Sequence, residues 1–195
     1  MSRKHSINIS DPRAHRSRRA LQDAAIDLFL QNPTATLSEV ASHAGVGRAT
    51  LYRHFKTREE LVLSLATESL EVINSVLDPL EEKHSSASEL LAAGLRAIMP
   101  VAERFHFLLY LWNISHDDDP AMKIYTEQLA ELAELVERAK HEGAIDKSCS
   151  TSWAVMMIDN LVSVGWWAVR EGDMTSEEAG EHAVRTLFHG LSPRE

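Results

Sequence analysis

Thr36-Leu37-Ser38-Glu39-Val40-Ala41-Ser42-His43-Ala44-Gly45-Val46-Gly47-Arg48-Ala49-Thr50-Leu51-Tyr52-Arg53-His54-Phe55 is the stretch that decides how this chain is read. Thr36 and Glu39 have the spacing of a capping box: the Thr oxygen covers an orphan N–H while the Glu reaches back, so a short helix is expected to about Ala44. Gly45 supplies the positive φ that a tight helix–helix turn needs, Val46 packs behind it, and Gly47 to Tyr52 forms the second short helix. Two short helices joined by a glycine turn make a helix-turn-helix.

Working outward, apolar residues recur at helical spacing almost everywhere after residue 18, and strand signals are nearly absent. A first helix is expected from about Arg13 to Gln31, with Leu21, Ala24, Ala25, Leu28 and Phe29 in its stripe and Asn32-Pro33 as its stop. A second capping box, Thr57 to Glu60, opens a long helix expected to end near Leu77 at Asp78-Pro79. Further helices are expected over about 88–99, 102–115, 120–142 (closed by Gly143), 150–170 (closed by Gly172) and 176–190. The fold class is therefore all-α, with about nine helices.

The chain has 195 residues, 20 Lys plus Arg against 29 Asp plus Glu, and a net charge of -9, which taken whole argues against a nucleic-acid partner. The charge is unevenly placed. Residues 1–58 hold ten basic and four acidic side chains, a balance of +6, and the remaining residues carry -15. Affinity for phosphate depends on local charge, so a basic head and an acidic body read as two functional regions.

A recognition helix presents short or basic side chains to base edges and phosphates while its inner face anchors it. Arg48, Ala49, Thr50, Arg53 and His54 supply the outer face here, with Leu51 inside. Arg48 suits a guanine edge, Ala49 or Thr50 a thymine methyl, and Tyr52, His54 and Lys56 suit phosphate. The helix starts at Thr36 and Thr57 add N–H groups that favour a phosphate oxygen. Arg3, Lys4, Arg16, Arg18 and Arg19 would add an electrostatic fringe.

These residues, continued by Lys56-Thr57-Arg58-Glu59-Glu60-Leu61, resemble the DNA-binding segment of the TetR (tetracycline-repressor-like) regulators over about residues 13–65. The Ala-x-x-Ala-Gly-Val turn and the Tyr-x-x-Phe pair carry the likeness. Two positions depart from the common pattern: Asn32-Pro33 replaces a glycine after the first helix, and Gly47 replaces a serine cap, at a cost of a few tenths of a kcal/mol. The resemblance implies a phosphate role for Tyr52 and Lys56. It also implies an N-terminal three-helix helix-turn-helix DNA-binding domain (1–58), a C-terminal helical ligand-binding and dimerisation domain (59–195), and most often repression. Partners are then a palindromic double-stranded DNA operator, a small apolar or amphipathic effector and a second copy of the chain. The alternative is a ligand-binding or scaffold protein that no longer reads DNA; the charge split and intact motif speak against it.

The body itself suggests how it serves those roles. The helix around Trp153 to Val169 has two apolar stripes, and two stripes imply burial on both sides. One stripe, with Val155, Ile158, Val162 and Trp166, is assigned together with Ala183 and Leu187 to a four-helix dimer seam. Large polarizable side chains suggest a pocket made by Met99, Phe105, Trp112, Tyr125, Trp153 and Met157, with polar orientation from Asn113, Asp159 or Asn160.

Other chemistries find little support. His116-Asp117-Asp118-Asp119 resembles a metal cluster, but Asp119-Pro120 reads as a helix cap, so no metal or other cofactor is expected. No HExxH pair, Ser-His-Asp set or phosphate loop suggests an enzyme. The single Cys149 excludes a disulfide framework, and no signal sequence or membrane span is apparent, so a cytoplasmic protein is expected.

Overall fold

The computed structural model describes residues 12–114 and 120–191, with side-chain environments at 21–109, 111, 123 and 125–189. Among these residues the chain forms α1 (Pro12–Gln31), α2 (Leu37–His43), α3 (Arg48–His54), α4 (Arg58–Glu81), α5 (Ala87–Ile98), a 3-10 turn (Met99–Val101), α6 (Ala102–Ile114), α7 (Pro120–His141), α8 (Thr151–Arg170) and α9 (Ser176–Leu191). No helix among them is long and apolar enough to cross a membrane.

Local chemistry accounts for most of the boundaries. At α2, Glu39 N–H donates to Thr36 Oγ1 at 3.3 Å and Thr36 N–H donates to the Glu39 carboxylate at 2.7 Å, so both halves of the capping box are present. Gly45 takes φ +66, which lets Val46 N–H reach the Ala41 carbonyl at 2.9 Å and close the helix in a Schellman turn. The same closure recurs after α7, where Gly143 has φ +81 and Ala144 N–H donates to Ala139 O at 2.9 Å.

The start of α4 differs from expectation in its partner, and the start of α9, at the expected position, has a reciprocal cap of its own. Glu60 N–H donates to Thr57 Oγ1 at 3.1 Å, yet the Glu60 carboxylate takes the Lys56 N–H, one residue before the expected partner. Before α9, Thr175 and Glu178 form a reciprocal pair, with Thr175 N–H at 2.8 Å from the carboxylate and Glu178 N–H at 3.2 Å from the hydroxyl.

The long helix α4 is the main departure. It runs through Asp78-Pro79 and ends at Glu81 rather than stopping near Leu77. Proline lacks an N–H and crowds the carbonyl four residues back, which is most disruptive mid-helix. Pro79 therefore removes one helical bond, to the carbonyl of the exposed Ser75, and the helix continues past it to Glu81.

The chain divides into two compact units, Met1–Leu65 and Ala66–Glu195. The division falls inside α4 rather than after residue 58. Leu61 and Leu65, in the early turns of α4, are fully buried, as are Ala25, Ile26, Phe29, Val40 and Leu51 of the first unit. The second unit buries an aliphatic and aromatic core from α5 to α9, including Leu95, Ile98, Phe107, Val136, Ile158 and Leu187. Within it α8 packs on α6, α7 and α9, and α5 packs on α7 and α9.

Candidate functional site

The first unit presents α3 as an outward-facing helix. Leu51 and Phe55 are buried beneath it, while Arg48, Ala49, Tyr52, Arg53, His54 and Lys56 are exposed and Thr50 is half-buried. Arg53 lies along its own helix: Nε donates to the Ala49 carbonyl and Nη2 to Thr50 Oγ1, both at 3.1 Å. That contact holds the guanidinium beside two of the residues expected to face base edges. Gly47 caps α3 without a side-chain hydrogen bond, which leaves the first N–H groups of the helix open.

Two head residues have roles that sequence reading did not assign. Arg58, counted there as part of the basic charge, donates from Nε to Ala35 O at 3.2 Å and from Nη2 to Pro33 O at 2.6 Å, and its guanidinium lies 4.9 Å from the Phe29 ring centroid. It ties the start of α4 to the α1–α2 connection. His43 Nε2 lies 3.0 Å from Asp27 Oδ2, linking α2 to α1. The Thr36 hydroxyl is engaged with Glu39, so any phosphate contact at this cap falls to α2 N–H groups. Those cap bonds hold the Glu39 carboxyl below the usual carboxylate range. The expected fringe lies outside the described residues: Arg3 and Lys4 entirely, and Arg16, Arg18 and Arg19 in their side chains.

The second unit contains a cavity of about 310 Å³ walled by α4, α5, α7 and α8, with Phe105 from α6. Leu91, Leu95, Ile98, Phe105, Ile158 and Val162 make an apolar interior, and Asp78, Glu81, Glu131, Glu134 and Arg138, all exposed, surround the outer part. Tyr125 and Asp159 are buried in its wall, and the phenol donates a short hydrogen bond to Asp159 Oδ2. Burial pushes the Asp159 carboxyl up to about 6, although the Tyr125 bond pulls it down. Burial, followed by the Asp159 charge, also pushes the Tyr125 phenol up, so the shared proton belongs to the phenol.

The expected pocket residues divide. Phe105 and Tyr125 line the cavity. Met99 is buried with its sulfur against Gly165 of α8, outside the lining set. Met157 is half-buried and does not line it. Trp153 is 58% exposed, and Asn160 is exposed with its Nδ2 bonded to Met156 O at 2.8 Å, so neither can serve this cavity. The side chains of Trp112 and Asn113 lie outside the described residues, as does His116 to Asp119. The aliphatic wall from α4, α5 and α7 has no mark in the sequence that sets it apart from ordinary helical core, unlike the aromatic and sulfur side chains. Asp159, an acid within an apolar helix, was the more informative signal.

The two stripes of α8 are also the reverse of the expectation. Val155, Ile158, Val162 and Trp166, with Ala183 and Leu187 of α9, are buried within the protomer, so they are not free to form a seam with a second copy. Trp166 stacks on His106 with ring centroids 3.9 Å apart, and the Arg170 guanidinium lies 5.1 Å from its centroid. Burial, then the Arg170 charge, lowers the His106 pKa. The outward stripe is Trp153, Met156, Val164 and Trp167, exposed by 58%, 61%, 63% and 50%. Periodicity places two apolar stripes but does not say which one faces the core.

Comparison with known proteins places the chain in a family. Residues 21–65 match the family model for bacterial regulatory proteins of the tetR family. The transcriptional regulator NfxB of Pseudomonas aeruginosa is 33% identical over 182 residues, covering 89% of this chain and 91% of NfxB. The transcriptional repressor LfrR of Mycolicibacterium (Mycobacterium) smegmatis is 26% identical over 187 residues, covering 95% and 96%. The crystal structure of LfrR in complex with proflavine has the same fold, with a TM-score of 0.69, 23% identity and coverage of 93% of this chain and 99% of that one. FadR from Bacillus subtilis in complex with stearoyl-CoA also shares it, with a TM-score of 0.63, 18% identity and coverage of 89% and 99%. The chain belongs to the tetR family of helix-turn-helix transcriptional regulators, a family of DNA-binding proteins rather than enzymes.

Proposed function

We propose that this protein is a homodimeric repressor released from a palindromic operator by a small amphipathic effector. The observation that carries the reading is the pairing of an exposed basic α3 over a buried Leu51–Phe55 anchor with a largely apolar cavity of about 310 Å³ in the second unit. That volume is at the lower end of small-molecule sites. Arg48 reads a base edge, Ala49 and Thr50 contact a thymine methyl, and Tyr52, His54 and Lys56 hold phosphates. Arg53 joins them once its contacts along α3 are exchanged for DNA. Thr36 orients the α2 N-terminus toward a phosphate.

The second copy docks on the Trp153–Met156–Val164–Trp167 face of α8. Four large apolar side chains left exposed along one helix at spacings of three, eight and three residues favour an apolar partner. Two-fold symmetry then sets the α3 helices to read half-sites one DNA turn, or a multiple of it, apart. The protein works in the cytoplasm, where the operator is.

Effector binding couples to DNA through α4, which lines the cavity at Ile73 to Glu81 and begins at Arg58 in the head. A coupling of about 1–3 kcal/mol lowers operator affinity about 5- to 150-fold. Gel shifts on the promoter beside the protein's own gene, with and without candidate effectors, test this. No salt-sensitive binding to that DNA or to random-sequence duplexes would overturn the regulator reading, and unchanged binding by a demonstrably liganded protein would overturn the coupling.

A further inference from the structure

We infer that the effector is a hydrophobic cation, and that Asp159, held by Tyr125 inside the cavity, is its counter-ion. The inference rests on reading the second unit as an effector domain and adds the charge and donor chemistry of the ligand. Three observations converge on it. The wall carries five carboxylates, Asp78, Glu81, Glu131, Glu134 and Asp159, against one cationic side chain, Arg138, among the described lining residues. Four of those acids are exposed at its outer part, where they attract cations and repel anionic amphiphiles. The fifth is buried within the apolar part.

A carboxylate buried among leucines and isoleucines is costly unless it is paired. Tyr125 donates one hydrogen bond, to Oδ2, but a carboxylate can accept about four. A cationic N–H donor entering the cavity would complete the set and provide the missing opposite charge. Leu91, Leu95, Ile98, Phe105 and Val162 would meanwhile cover an aromatic or aliphatic body. An anionic amphiphile would instead place a second negative charge beside Asp159.

Titration supplies an independent handle. The charged and titratable groups facing the cavity are Asp78 and Glu81 from α4, Tyr125, Glu131, Glu134 and Arg138 from α7, and Asp159 itself from α8; α5 and α6 contribute apolar side chains. With its carboxyl pushed up to about 6, Asp159 loses its charge in mildly acidic solution, and cation affinity falls with it.

The test is direct binding to the full chain in the absence of DNA, by calorimetry and tryptophan fluorescence. The probes are proflavine (a planar aromatic cation with amino donors), uncharged acridine at pH 8, and oleate. Proflavine is expected to bind at least about tenfold more tightly than acridine or oleate, and Asp159→Asn to weaken proflavine about tenfold or more with little effect on acridine. For the unaltered chain, proflavine affinity is expected to fall about fourfold between pH 7.5 and 5.5, and Asp159→Asn to abolish that component. The pH series needs no substitution, so it stands even if a variant folds poorly. Failure of proflavine to bind, oleate binding as tightly as proflavine, or an Asp159→Asn protein with unaltered proflavine affinity and pH profile would each overturn the inference. Gel shifts on operator DNA are run separately: proflavine binding without any DNA binding would support the inference while refuting the regulator reading.

Discussion

Replacing Asp159 by Asn should stabilise the ligand-free protein at neutral pH, and the size of the gain follows from the site. Burial raises the Asp159 carboxyl from 3.8 to about 6. Between those values the folded protein holds a proton that the unfolded chain has released, so folding stability falls as pH rises through the window. Above about 6 the loss is complete, and at about 1.4 kcal/mol per pH unit it amounts to about 3 kcal/mol. At pH 4.5 only about a third of it has developed. Asn keeps the shape and an oxygen to accept the Tyr125 hydroxyl but carries no charge.

Urea unfolding of both proteins from pH 4.5 to 8, at one protein concentration, should therefore show the stability difference in favour of Asp159→Asn widening by about 2 kcal/mol. The widening, rather than the offset, is the informative quantity, because a fixed difference can arise from small changes in packing. A difference that stays constant across the range, or a variant less stable at pH 8 than at pH 4.5 relative to the parent, would refute a buried ionised carboxylate. A confirmed penalty would show stability given up at a binding site, as in other sites where function and stability conflict.

Substitution of Arg48 by Ala should cost operator affinity about 1–3 kcal/mol and relax preference at one position of each half-site, measured by binding to a panel of operator variants. Lys56→Ala should instead weaken binding to all sequences alike and lower the salt dependence by about one phosphate contact, read from the slope of log affinity against log salt. Thr36→Ala removes the α2 capping box and should destabilise the head by about 1 kcal/mol, seen as a lower melting temperature. Trp153→Glu with Trp167→Glu should convert dimer to monomer in sedimentation experiments while leaving helix content unchanged. A persistent dimer would place the seam elsewhere.

Much of this protein was legible from residue order, and the reasons are local. Thr36 and Glu39 set the start of α2, Gly45 its end, and Leu51 the inner side of α3, because caps, turns and helical periodicity depend on residues a few positions apart. The division of charge at residue 58 separated a basic head from an acidic body for the same reason: it requires only order along the chain. Pro79 does not end α4, because one proline removes one helical hydrogen bond and the contacts along the rest of the helix decide whether it continues.

Tertiary structure decided the rest. Both stripes of α8 are apolar, and nothing local distinguishes Val155, Ile158, Val162 and Trp166, which face the core, from Trp153, Met156, Val164 and Trp167, which face outward. The choice is made by α5, α6, α7 and α9, where Tyr125 meets Asp159, His106 stacks on Trp166, and Gly165 leaves room for Met99. A cavity is likewise a property of several helices at once: Leu91, Phe105 and Asp159 become neighbours across one space only when the chain is folded. Residue order determined the helices and their caps, since those energies are local; which face is buried, and which carboxylate is buried with it, depends on contacts between residues distant in the chain.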